Sequence, residues 1–244
     1  MASAEIITKK IKPILPVACA IELIHSYSLI HDDLPCMDDD DYRRGKPTSH
    51  KVYGEAIATL AGDALLTYGF FLMTNSFEKN EIFKENLIRA IREISFAAGI
   101  GGMICGQVVD VQSEGKEIDT PTLQYIHTHK TAALICSSIK AGAILANAKP
   151  REIKALSLYA EHFGLAFQII DDILDITGDE KKLGKKVGSD TKKKKATYPS
   201  VLGLRDSKQQ AIELIEKAKA SLRIFENRAE VLHELADFVL KRDR

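Results

Sequence analysis

Three aspartates lie inside a long apolar helical pattern in the C-terminal half of the chain. Asp171 and Asp175 are four residues apart in the segment QIIDDILD, so both project from one face of a helix, with Asp172 beside them. Charged side chains in such a pattern cost free energy unless they line a cavity or bind an ion. The segment therefore predicts a helix that borders a polar cavity.

A second acidic cluster follows an earlier helix. The run HDDLPCMDDDDYRRGK, residues 31–46, contains six aspartates and then Arg43 and Arg44. Hard carboxylate oxygens select magnesium or calcium, although this run taken alone also fits a solvated acidic loop. Two acidic clusters on separate helices favour a pair of facing metal clamps. With adjacent cations, such clamps suit a diphosphate, whose oxygens magnesium can bridge to the carboxylates.

Helical periodicity dominates the sequence, and strand-like alternation is nearly absent, so we expect an all-α fold. No internal repeat or change of composition divides the chain, which we therefore expect to be one domain over residues 1–244. The predicted helices cover residues 17–30, 54–76, 82–103, a segment from Thr120 that carries His129, Lys130 and Thr131, a segment from about 151 to 177, and two helices after Asp206. Residues 179–195 are expected to form a polar loop.

Composition excludes several classes of function. Lys and Arg total 34, as do Asp and Glu, so no net charge attracts nucleic acid or an anionic membrane. No uninterrupted apolar run reaches the roughly 18 residues of a membrane span, and the first ten residues lack the apolar stretch of a secretory signal. The four cysteines are widely spaced, without a CxxC pair. A cytoplasmic protein with reduced thiols, and without stable membrane insertion, is expected.

The two acidic clusters and their flanks resemble the trans-isoprenyl diphosphate synthases, most of all the bacterial farnesyl diphosphate synthases. Asp32-Asp33 with Asp38 matches the first motif of that family in its longer DDxxxxD form, and Asp171-Asp172 with Asp175 matches its second, DDxxD. Further matches in family order are the segments around Asp63, GQVVD at 106–110, HKTAAL at 129–134, and residues 184–199. The resemblance covers nearly the whole chain. It implies a helical bundle around a deep cavity, usually as a homodimer.

The resemblance also implies roles for individual residues of this chain. The leading magnesium ligands are Asp32, Asp38 and Asp171, with Asp33, Asp172 and Asp175 as direct or water-mediated helpers. Contacts to the allylic diphosphate and its reacting end are expected from Arg43, Lys130, Thr131, Gln168, Lys185 and Lys195, and contacts to isopentenyl diphosphate from His25 and Arg44. Lys130, Thr131 and Gln168 are the expected catalytic residues. For His25 alone, a buried structural histidine is the competing interpretation.

The implied reaction joins isopentenyl diphosphate to an allylic diphosphate, dimethylallyl or geranyl, to give farnesyl diphosphate. Magnesium helps the allylic diphosphate to ionise to a carbocation. Tyr27 lies five residues before Asp32, about 7.5 Å along the helix, and its ring is expected to form the cavity floor and limit chain length.

Three alternatives remain open at this point. They are a geranylgeranyl or other short-chain prenyl diphosphate synthase, a terpene cyclase, and a catalytically silent partner subunit. Both acidic clusters with Arg43, Arg44 and the Lys130-Thr131 pair favour chain elongation. One departure from the family is expected to matter, because the upstream helical pair with a Gly-Gly-Lys-Arg segment that binds isopentenyl diphosphate does not occur in this sequence.

Overall fold

Helices make up nearly all the regular structure in the computed structural model, which describes residues 1–75, 84–177 and 197–242. The expected all-α fold is confirmed. The helices are α1 (Ala2–Glu5), α2 (Leu15–Asp32), α3 (Ser49–Tyr53), α4 (Glu55–Asn75), α5 (Lys84–Ala98), α6 (Met103–Ser113), α7 (Thr120–Ile126), α8 (Ala133–Leu145), α9 (Pro150–Thr177), α10 (Tyr198–Leu202), α11 (Leu204–Ser221) and α12 (Glu230–Lys241). A π-helical segment, His127–Ala132, joins α7 to α8, and short 3₁₀ turns occupy Lys12–Ile14 and Arg223–Ala229.

The apolar core has two parts. One is centred on α9, α11 and α12 and contains the fully buried Tyr159 and Phe225. The other is centred on α2, α4, α5 and α8 and contains Ile24 and Met73. Ile153 of α9 packs against both parts. The two acidic clusters therefore belong to helices of different halves of the core, α2 and α9.

The predicted helix over residues 82–103 is wrong at its C-terminal end. The chain breaks at Gly99–Gly102 and a separate helix, α6, runs on to Ser113. Three glycines within these four positions disfavour a continuous helix. At Gly102 a Cβ atom would come within 2.1 Å of the Ala97 carbonyl oxygen, so a larger residue does not fit the bend. The break gives α6 its own direction and brings Gln107 and Asp110 to the cavity described below.

A small antiparallel hairpin follows the first acidic cluster, where no strand is predicted. Strand β1 is Tyr42–Arg43 and strand β2 is Lys46–Pro47. Arg44 and Gly45 form the turn with φ angles of 52° and 75°, the positive pair that a tight two-residue hairpin turn requires. The hairpin holds Arg43 and Arg44 beside the aspartates that precede them.

Several helices carry more apolar surface than this single chain covers. Within the described residues, three stretches are long and apolar enough to cross a membrane by length and composition alone: residues 12–32, 55–75 and 84–113. The third is broken at Gly99–Gly102 into α5 and α6. On α4 and the adjoining elements, exposed side chains include Leu60, Phe71, Phe96 and Ile100, of which Ile100 is 85% exposed. This apolar face lies outside both core clusters.

Candidate active site

A cavity of about 1750 Å³ is bordered by both acidic clusters. Asp32 and Asp38 reach it from the end of α2 and the loop that follows, and Asp171 reaches it from α9. The other sequence-predicted residues that line it are His25, Tyr27, Arg43, Arg44, Lys130, Thr131, Gln168 and Asp172. Helices from the two halves of the core thus bring most of the predicted site residues together around one space.

Asp32 is held by two side chains from other helices. Gln107 of α6 donates from Nε2 to Asp32 Oδ1 at 2.8 Å, and Lys130 Nζ lies 3.4 Å from the same oxygen. Lys130 also donates to Asp110 Oδ2 at 2.7 Å. Gln107 and Asp110 were given no role from the sequence, although their three-residue spacing places both on one face of α6. They fix the first acidic cluster and the principal lysine of the cavity relative to each other.

Asp33 is not among the residues that line the cavity, and it is bound by Arg43. Arg43 Nη2 and Nε donate to Asp33 Oδ1 at 2.6 and 2.9 Å, and Asp33 is 4% exposed. Burial lowers the pKa of Arg43, but its hydrogen bond to Asp33 and the negative charges of Asp33, Asp32 and Asp40 outweigh this effect, so the pKa is raised. Arg43 therefore stays charged at the cavity wall.

The segment that carries Lys130 and Thr131 is π-helical, a form often found at functional sites. Two glycines let neighbouring backbones approach it closely. A Cβ atom at Gly106 of α6 would lie 2.1 Å from the Lys130 backbone nitrogen, and one at Gly164 of α9 would lie 2.8 Å from the Ala132 Cβ. The wide turn is thus held between α6 and α9, where Lys130 and Thr131 face the cavity.

Asp171 of α9 forms an ion pair with Arg242, which lies near the C-terminal end of the chain. Arg242, just after α12, donates from Nη2 to Asp171 Oδ1 at 2.5 Å, and its guanidinium lies 4.1 Å from the centre of the Phe167 ring. The side chain of Arg242 is 9% exposed, and its Nε has no hydrogen-bond partner among the described residues. No local sequence pattern predicts this contact, because it joins residues 71 positions apart.

Asp172 and Asp175 differ from Asp171 in being buried, at 7% and 2% exposure. Asp172 Oδ2 accepts hydrogen bonds from His127 Nε2 at 2.9 Å and from the Tyr198 backbone N–H at 2.8 Å. Asp172 also borders the cavity, whereas Asp33 and Asp175 are not among its lining residues. Lys185 and Lys195, predicted to contact the allylic diphosphate, lie outside the described residues.

The remaining predicted residues divide between a polar corner and an apolar wall. His25 lies near Arg44 and Glu22, and burial, assisted by the charges of Arg44 and Arg43 and opposed by Glu22, lowers the pKa of His25. Tyr27 is 6% exposed, and its ring meets the His31 ring edge-on at 5.6 Å. The apolar lining includes Leu66, Met103, Leu134, Ile135, Phe163 and Phe167. The cavity lining therefore contains both charged groups and a large apolar set.

The donor set suits magnesium bound together with a phosphorylated substrate. Carboxylate oxygens from Asp32, Asp38 and Asp171 border the same cavity, together with the cations Arg43 and Lys130. In the part of the chain that the structure describes, no three acidic, histidine or cysteine side chains form a preassembled metal cage. Magnesium commonly binds through one or two carboxylates and completes its shell with substrate phosphates and water. The residues present fit that mode of binding.

Comparison with known proteins places the chain among enzymes of isoprenoid chain elongation. The sequence model of the polyprenyl synthetase family matches residues 1–233. The chain is 49% identical to farnesyl diphosphate synthase of Bacillus subtilis, over 94% of this chain and 77% of that protein. It is 47% identical to geranylgeranyl diphosphate synthase of Cyanophora paradoxa, over 100% of this chain and 81% of that protein.

A solved structure shares the fold. The geranyltransferase of Helicobacter pylori, complexed with magnesium and isoprenyl diphosphate, superposes with a TM-score of 0.83 at 33% identity. The match covers 98% of this chain and 82% of that one. The helical bundle around the cavity is therefore the same architecture.

Proposed function

The chain belongs to the polyprenyl synthetase family and is a prenyltransferase, and we propose that it condenses isopentenyl diphosphate with dimethylallyl and then geranyl diphosphate to give farnesyl diphosphate. One observation carries this proposal. Asp32 and Asp171, from helices of different halves of the core, border the same cavity as Lys130, Thr131 and Gln168. A diphosphate needs that combination of hard oxygen ligands and cations, and a growing prenyl chain needs the apolar space beyond it.

Lys130 and Arg43 act on the leaving group. The allylic C–O bond breaks with both electrons remaining on the diphosphate, so negative charge grows on oxygens near these cations. Fixed cations in a water-poor site stabilise such charge without reorganising. Asp32, Asp38 and Asp171 would hold Mg²⁺, which would supply further Lewis-acid stabilisation of that leaving group. Asp110 keeps Lys130 in place through their 2.7 Å contact.

The carbocation left behind needs polar oxygens that do not capture it and walls that exclude water. The Thr131 hydroxyl and the Gln168 side-chain oxygen border the cavity and supply dipoles for its charge. Phe163 and Phe167 present aromatic rings along the same wall, and a cation is attracted to ring faces. These groups bind and orient the cation while the second substrate reacts.

Isopentenyl diphosphate is assigned to the corner formed by His25 and Arg44. Arg44 sits in the hairpin turn and offers its guanidinium to a second diphosphate. The double bond of isopentenyl diphosphate attacks carbon one of the allylic cation. The adduct then loses a proton to the pyrophosphate released in the first step, which leaves a new allylic diphosphate five carbons longer. No side-chain nucleophile is needed.

Chain length is assigned to Tyr27. The ring borders the cavity and is 6% exposed, and it lies about 7.5 Å along α2 from the carboxylates. In the proposed function this ring is the group that stops growth at a C15 chain. The similarity to the Cyanophora paradoxa geranylgeranyl diphosphate synthase makes a C20 product the competing outcome.

A homodimer is proposed from the apolar face of α4 and the adjoining elements. Phe96 and Ile100 are 66% and 85% exposed, and Leu60 and Phe71 are exposed with them. Apolar surface of this extent on a protein in water commonly marks a binding partner. A second copy is preferred to a lipid bilayer because Asp63 lies in the middle of α4 and α2 carries the site residues His25 and Asp32. We propose a cytoplasmic location for the protein.

Turnover of the two substrates tests the proposed reaction. Purified protein is incubated with dimethylallyl and isopentenyl diphosphates and Mg²⁺, and the dephosphorylated products are identified by mass spectrometry. Farnesol is expected, with none after chelation of the metal. Asp171→Asn is expected to lower kcat/KM by about 100-fold or more, because metal-assisted charge stabilisation contributes several kcal/mol.

Asp206→Asn, on the first turn of α11, is the matched control and is expected to behave as the unchanged protein. Wild-type protein that forms no prenyl product would rule out the proposed reaction. Light scattering on the same samples tests the homodimer, since Phe71→Glu is expected to shift the mass from two chains to one. A wild-type mass of one chain would exclude the dimer.

A further inference from the structure

Asp172 borders the cavity, and its carboxylate is bound by two other protein groups. Its Oδ2 accepts from His127 Nε2 at 2.9 Å and from the Tyr198 N–H at 2.8 Å, and the side chains of Asp172 and His127 are 10% and 9% exposed. A carboxylate so well buried needs such donors to remain ionised without a large cost. Because a carboxylate oxygen accepts, His127 Nε2 carries the proton that it donates.

This carboxylate joins three parts of the chain that carry the site. His127 begins the π-helical segment and lies three residues before Lys130. Asp172 follows Asp171 directly in α9. Tyr198 begins α10, and its ring stacks on the His127 ring with centroids 5.4 Å apart. Movement of any one part changes the position of the others.

The two carboxylates of the Asp171-Asp172 pair therefore have different surroundings. Both border the cavity, but the Asp171 side chain is 51% exposed, whereas Asp172 is held by His127 and Tyr198. Residues behind a metal ligand orient it, and their loss commonly weakens metal binding by about 10–100-fold. A carboxylate that lost one of its two donors would reorient toward water or the cavity, because burial without partners is costly.

We infer that His127 is a positioning residue: by holding Asp172 against the π-helical segment, it sets the distance between Lys130–Thr131 and Asp171 across the diphosphate site. The inference deepens the proposed function and rests on it for the identity of the ligand. It does not make Asp172 a metal ligand. The role of Asp172 is to fix α9 to the segment that carries Lys130.

Binding measured without turnover tests the inference. Inorganic pyrophosphate is titrated in the presence of Mg²⁺ into the whole protein by isothermal calorimetry. His127→Phe keeps a ring for stacking on Tyr198 but removes the donor, and it is expected to weaken binding by about 10–100-fold. His127→Gln restores a terminal N–H donor, and its affinity for pyrophosphate is expected to lie within about threefold of wild type. A threefold change corresponds to much less free energy than the loss of one hydrogen bond to a charged group.

His129→Phe is the matched control on the same segment. His129 stacks on Tyr125 with centroids 3.8 Å apart and does not line the cavity, so its change is expected to leave pyrophosphate binding unaltered. Thermal unfolding of all variants separates binding from stability. If His127→Phe does not fold, His127→Asn, whose shorter amide falls short of Asp172, replaces it and is expected to show the same direction of change.

Steady-state kinetics add a measurement that a loss of stability alone would not change. His127→Phe is expected to raise KM for the allylic diphosphate. KM for isopentenyl diphosphate, which binds at His25 and Arg44, is expected to stay within about twofold of wild type. Pyrophosphate binding by His127→Phe equal to wild type would overturn the inference, as would equal losses in His127→Gln. If the binding pattern holds while wild type forms no prenyl product, the proposed function fails and the positioning role stands.

Discussion

Replacing Tyr27 by alanine tests how this chain limits its product. The ring lies about 7.5 Å along α2 from the carboxylates, at the cavity wall, and is packed edge-on against His31 at 5.6 Å. Removing it opens the space beyond the C15 position, so products of C20 or longer are expected by mass spectrometry of the dephosphorylated prenols. The first condensation should be the least affected step, because it starts from the five-carbon primer, the shortest chain that the cavity holds.

The same substitution has a calculable cost in stability. Truncating a buried aromatic residue to alanine usually lowers the free energy of unfolding by about 3–5 kcal/mol, and a side chain that already borders a cavity loses fewer contacts, so about 3 kcal/mol is expected. Chemical denaturation measures this value. Tyr53, at the end of α3, is 68% exposed. Tyr53→Ala is therefore the control and should change neither the product length nor the free energy of unfolding. A stable Tyr27→Ala variant that still stops at C15 would refute the role of the ring as the floor.

Three further predictions concern ionisation and the core. Burial and the charges of Arg44 and Arg43 lower the pKa of His25 in the folded protein, so the unfolded chain binds that proton more readily and the free energy of unfolding should fall as pH drops below about 6.5. In urea unfolding, His25→Gln should make this fall with pH less steep, and an unchanged slope would contradict the prediction. Burial raises the pKa of the Cys136 thiol to about 12, so iodoacetamide at pH 8 should label the exposed Cys19 well before Cys136. Peptide mass spectra measure the labelling, and equal rates at the two cysteines would contradict the prediction. Tyr159→Phe removes a 2.8 Å hydrogen bond to the Leu232 carbonyl and should cost about 1–3 kcal/mol in thermal or urea unfolding, whereas no loss would show that the bond contributes nothing.

Sequence reasoning succeeded where the pattern is local. The four-residue spacing of Asp171 and Asp175 and the apolar residues around them predict one long helix, and α9 spans Pro150–Thr177 as expected. The predicted start of α4 at residue 54 agrees with the observed start at Glu55 to within a residue. In α9 the repeat of apolar side chains extends over many turns, so few other structures would bury them.

Contacts between distant residues were not predictable in the same way. Asp33 and Asp172 look equivalent to Asp32 and Asp171 in sequence, yet Asp33 is buried against Arg43 and Asp172 is buried against His127. Such pairings depend on how helices are placed relative to one another, which no spacing records. The positive φ angles of the hairpin turn were also missed, although Arg44-Gly45 carries the glycine that favours it.

A crystal structure with Mg²⁺ and an unreactive allylic thiolodiphosphate tests most directly whether the two acidic clusters grip one ligand. Divalent ions are expected to bridge the diphosphate to Asp32 and Asp38 on one side and to Asp171 on the other, with Arg242 displaced from Asp171 and the prenyl tail pointing toward Tyr27. A diphosphate bound by one cluster alone, or outside the cavity between α2 and α9, would contradict the two-clamp site.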